Sequence, residues 1–123
     1  MMTATASKMR IAFVMAADEQ EAARIGQALV AENLAACVNI AGPVRSIYRW
    51  RGAIEDAREF MLIIKTQARL FDRLARRVKE LHSYEVPEII ALPLAAGWKP
   101  YLEWIIQSTE TGSAPAAFAP GQS

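Results

Sequence analysis

The sequence predicts an α+β domain, a four-stranded antiparallel sheet packed under helices. Three observations carry this. The apolar pattern alternates between strand-like and helix-like runs in the order βαββαβ, followed by one further helix. Turn and cap residues separate the runs at the expected places. A 53% hydrophobic composition over 123 residues is enough to build one core without disulfide or metal.

Arg10 to Ala16 reads as the first strand. Asp18, with Glu21 three residues on, resembles a capping box that opens a helix bearing Ala22, Ile25 and Leu29 on one face. Asn33 is suited to a left-handed cap at its end. Ala36 to Trp50 is a long extended segment, and Gly42-Pro43 predicts a bend or bulge within it. Arg51-Gly52 is a turn, and Ile54 to Thr66 returns as a strand. Phe60 to Ile64 is apolar on both faces, as a central strand would be. Leu70, Leu74, Val78 and Leu81 recur at helical spacing. Glu88 to Leu94 is the fourth strand, and Pro93 suggests that it lies at an edge or ends there. The last helix follows Gly97, with Pro100 in its first turn and Tyr101, Trp104 and Ile105 as a packing stripe.

This is the split βαβ, or ferredoxin-like, arrangement with a C-terminal helix added. Residues 10–110 form the domain, and residues 1–9 and 111–123 read as disordered tails. Two helices cover one sheet face. The other face and the long middle hairpin call for self-association.

Composition narrows the function. Fourteen basic and thirteen acidic residues leave a formal charge of +1, so no global field draws the chain to nucleic acid or membrane. The arginines at 69, 73, 76 and 77 read as a solvated helix face, because Asp72 and Glu80 are interleaved. Tyr48 and Trp50 read as packing residues. An RNA recognition module would need aromatics on the third strand, and that strand is aliphatic apart from Phe60. No Gly-rich phosphate loop is present. Ile11 to Ala17 follows two basic residues, as a leader would, but its length suits a buried strand better. A single cysteine forms no internal disulfide, which suits a reducing cytoplasm.

The segments AACVNI, SIYRWRG, IIKT, HSYEVPEIIALP and YLEW, in this order between Arg10 and Ser108, resemble the CutA family of divalent-cation tolerance proteins. The resemblance implies a cytoplasmic homotrimer, kinship to PII-type signalling proteins, an association with copper and other divalent metals, and no enzymatic reaction. His82 and Cys37 are then the candidate metal ligands, with Glu88 as a secondary ligand. The cofactor expected is a weakly held divalent metal, copper first, with no organic cofactor. Some relatives carry a second histidine where Leu81 stands, some a first-strand cysteine where Val14 stands, and the family commonly has a proline where Ser83 stands. His82 alternatively bonds a backbone carbonyl, and Cys37 alternatively fills a small core site. Lys65, Tyr84 and Glu85, with Trp50, are the candidate pocket for a small ligand in a PII-like sensor. Their bland alternative is an inter-subunit salt bridge.

Overall fold

The computed structural model describes residues 5–110. The elements run β1 (Met9–Ala16), α1 (Glu19–Ala31), β2 (Cys37–Trp50), β3 (Ala53–Gln67), α2 (Phe71–Leu81), β4 (Ile89–Pro93) and α3 (Lys99–Ser108). The fold is mixed α+β, with one antiparallel sheet in the order β2-β3-β1-β4. The βαββαβ order and the extra helix therefore stand. β4 is an edge strand that ends at Pro93, so both alternatives read from Pro93 hold, and β1 and β3 are the central pair.

Alternation along the central strands splits the sheet into two faces. Ala12, Val14, Ala16, Leu62 and Ile64 pack with Ala22, Ile25 and Leu29 of α1 and Leu74 and Val78 of α2 in the main core. Ile11, Phe13, Met61 and Ile63, the alternate residues, are only partly buried. A second cluster joins Leu102 and Ile105 of α3 to Ala6, Met9 and Ala36. Tyr101 and Trp104 pack against this cluster, so the stripe docks α3 as expected.

The N-terminal tail expected through residue 9 is shorter than that. Ala6–Lys8 form a 3-10 turn, Met9 begins β1, and Ala6 and Met9 are fully buried under α3. Composition alone misses this, because a small polar segment becomes ordered when a neighbouring helix covers it. The tail expected at 111–123 lies outside the described residues.

Local chemistry explains the boundaries. The Asp18 side chain accepts from Glu21 N–H at 2.8 Å, satisfying one orphan donor of α1. Asp18→Ala is expected to cost about 1 kcal/mol, read by urea unfolding. Asn33 adopts φ 59° after α1, the left-handed residue that closes the helix. The bulge falls between Ala41 and Val44, where Gly42-Pro43 interrupts the ladder. A Cβ on Gly42 would stand 2.6 Å from the Phe60 ring, so only glycine fits there. Arg51 and Gly52 both take positive φ, 51° and 82°, in the two-residue turn of the β2–β3 hairpin.

Candidate functional site

The stretch His82–Glu88 joins α2 to β4 and lies against the end of β1. His82 is buried, and both of its ring nitrogens are engaged. Nε2 lies 2.7 Å from the Met15 carbonyl oxygen, and Nδ1 accepts from Tyr84 N–H at 3.0 Å. A carbonyl only accepts and a backbone N–H only donates, so the ring is neutral with its hydrogen on Nε2. The ring holds α2, β1 and the loop together. It presents no free lone pair to a metal, which a ligating imidazole needs. The carbonyl-bonded alternative for His82 is the one adopted.

Glu21 completes this arrangement. Its carboxylate is buried and accepts from Ala17 N–H at 2.9 Å and Ser83 N–H at 2.8 Å. Burial pushes the Glu21 carboxyl up. The Ala17 and Ser83 donors outweigh it, and hold the group below its ordinary value. The capping-box pattern pointed to Glu21, but its second bond, to Ser83, spans 62 residues and has no sequence signal.

A cavity of about 770 Å³ opens beside this loop. Trp50, Tyr84, Glu85 and Glu88 all line it, together with Tyr48 and Glu59. Three of the four residues expected in a ligand pocket therefore meet. The fourth, Lys65, does not. It pairs across the sheet with Cys37 and Ile11, at the opposite end of β1 from Met15, and its ammonium bonds Asn39. The error has a simple cause: Lys65 ends β3 on the side where β1 begins, whereas the His82 loop meets the end of β1.

The same geometry separates the expected metal ligands. Cys37 lies at the Ile11 end of the sheet and His82 at the Met15 end, while Glu88 is exposed before β4. Among the described residues no three His, Cys, Asp or Glu side chains converge on one point. A single protomer therefore does not assemble the His82, Cys37 and Glu88 set. Cys37 is half-buried, 3.8 Å from Asn39 Oδ1, and is neither a fully enclosed core residue nor a closed site.

Inside the cavity, the Tyr84 hydroxyl donates to Glu59 Oε2 at 2.7 Å. Burial and then the Glu59 carboxylate hold the phenol well above its ordinary range, so Tyr84 remains a donor. At the rim, Arg51 pairs with Glu85 at 2.6 Å, and its guanidinium lies 5.2 Å from the Trp50 ring centroid. Both partners are exposed, so the pair adds little stability. Glu59 is the residue that sequence reasoning passed over. A glutamate in mid-strand, just before the apolar run Phe60 to Ile64 and after Glu55 and Asp56, gives no hint that it is buried.

The family profile described as "CutA1 divalent ion tolerance protein" matches residues 10–108. The chain belongs to the CutA1 family. It is 46% identical over 99 residues to the "Divalent-cation tolerance protein CutA" of Thermus thermophilus, covering 80% of this chain and 96% of that one. "Protein CutA" of Mus musculus is also 46% identical, over 102 residues that make up 83% of this chain. The chain spans 58% of that relative's length. A solved structure from Archaeoglobus fulgidus, described as a periplasmic divalent cation tolerance protein CutA, superposes with a TM-score of 0.81 at 40% identity. It covers 83% of this chain and 99% of that one. The mixed α+β fold with its four-stranded antiparallel sheet matches solved CutA structures. No helix among the described residues is long and apolar enough to cross a membrane.

Proposed function

We propose that this CutA1-family chain works as a homotrimer in the cytoplasmic response to divalent cations, copper foremost, by binding rather than by catalysis. The observation that carries the assembly is the sheet face left open by α1 and α2. Phe13 pairs with Ile90 and Ile11 with Leu92 on that face, and Ile90 and Leu92 are 53% and 58% exposed. At the far hairpin Ile47 and Ile54 are 64% and 69% exposed. Apolar area of this kind is stabilised by a second copy. Light scattering is expected to give three times the chain mass, with Ile90→Asp lowering it; a monomer at micromolar concentration would overturn the assembly.

For copper, the half-buried Cys37 thiol is the soft donor of the set, and ligands from neighbouring copies would have to complete the site. Calorimetric titration is expected to show weak copper binding that falls at least tenfold in Cys37→Ser. Equal affinity in the two proteins would exclude Cys37 as a ligand.

A second reading is favoured by the cavity: a PII-like sensor that binds a small ligand in clefts between subunits. Trp50, Tyr84 and Glu85 line one cavity of ample size. No nucleic acid or membrane partner is part of either reading.

A further inference from the structure

The geometry points to a small organic cation, bearing an ammonium or guanidinium group, as the ligand of the Tyr84–Glu59 cavity. This rests on reading the cavity as a ligand site and adds the charge and class of what enters it.

Glu59 is the central observation. It lines the cavity and is only 5% exposed. A carboxylate removed from water to this degree is costly unless a cation or several donors face it. Among the described residues no lysine, arginine or histidine forms an ion pair with it. Tyr84 satisfies Oε2. Among the described residues no donor reaches Oε1 and no fully enclosed side-chain N or O atom is left unpaired, so Oε1 is open to solvent, and Glu59 lines the cavity.

The rest of the wall fits the same chemistry. Tyr48 and Trp50 supply aromatic rings, whose faces attract cations. Glu85 and Glu88 add carboxylates at the exposed side, against one guanidinium, that of Arg51. Arg51 lies over Trp50 and bonds Glu85, so the rim already receives a guanidinium of the chain itself. A bare metal ion fits less well. No three carboxylates converge, and a hard cation requires six or more oxygens at close range. An extended organic cation can place one end on Glu59 and lie along the rings.

The test uses the assembled full chain in calorimetry with four probes of similar length: agmatine, putrescine, 1,4-butanediol and succinate. Agmatine and putrescine are expected to bind, with the diol and the dianion at least tenfold weaker. Glu59→Gln keeps the shape and the tyrosine bond, and is expected to weaken amine binding tenfold or more. Should Glu59→Gln fail to fold, Trp50→Leu alters only a partly exposed ring and is expected to weaken amine binding at least fivefold. Amine binding unchanged in a folded Glu59→Gln overturns the assignment. Binding of butanediol or succinate in preference to the amines overturns the cation while leaving a ligand cavity. Silence from all four probes removes both. A fall in assembly mass in Glu59→Gln, without amine binding in the parent, also overturns the proposal, because a second copy's cation then occupies the cavity.

Discussion

His82→Ala is expected to lower the unfolding free energy by about 3 kcal/mol, as a reduced urea midpoint at unchanged slope. The ring is buried, and its removal leaves the Met15 carbonyl and the Tyr84 N–H without partners. Each unsatisfied buried group costs roughly 1–3 kcal/mol, and the lost packing adds to it. Tyr84 is held in place through that N–H, so its hydroxyl should lose its fixed position against Glu59. His82→Gln, which can donate to the carbonyl, is expected to recover part of the stability. A ring that served only as a surface metal ligand would give the opposite result: near-parental stability and lost copper binding.

Glu21→Ala is expected to cost about 3 kcal/mol by the same measurement, because two backbone donors, Ala17 N–H and Ser83 N–H, lose a charged acceptor inside the protein. Glu21→Gln retains the shape and one acceptor oxygen and should cost less. The carboxyl is held below its ordinary value in the folded chain, so the unfolded state takes up its proton first as pH falls. Its contribution is therefore complete above about pH 4.5, declines as pH falls below that value, and is gone once the folded group is also protonated. Unfolding measured between pH 7 and pH 3 should show a shallower acid loss in Glu21→Gln than in the parent chain. Arg24 and His82 stand nearby, at 3.7 Å and 3.8 Å from the carboxylate. Effects of Glu21 and His82 substitutions are expected to be non-additive, since both fix the 82–84 loop.

The elements were legible in the sequence because their signals are local. Asp18, Asn33, Arg51-Gly52 and Pro93 each act on backbone within a few residues, through a cap, a positive φ or a missing N–H. Trp50, Tyr84 and Glu85 line one cavity although they come from two distant segments. They border the β2–β3 turn and the His82 loop, which meet through the Arg51–Glu85 pair.

The remaining properties depend on which distant segments are paired. His82 reaches its carbonyl across 67 residues of chain, Glu21 reaches Ser83 across 62, and Tyr84 reaches Glu59 across 25. No periodicity encodes those distances. The antiparallel register of β1 with β3 decided that Lys65 and Cys37 stand at one end of the sheet and Met15 at the other. The sequence by itself therefore determined the order of the elements, their caps and turns, and the family. Only the tertiary structure decided that His82 spends both nitrogens on backbone, that Lys65 lies away from the cavity, and that Glu59 is buried facing it. Burial and hydrogen-bond partnership are properties of the packed chain, and the same side chains in solution would have neither.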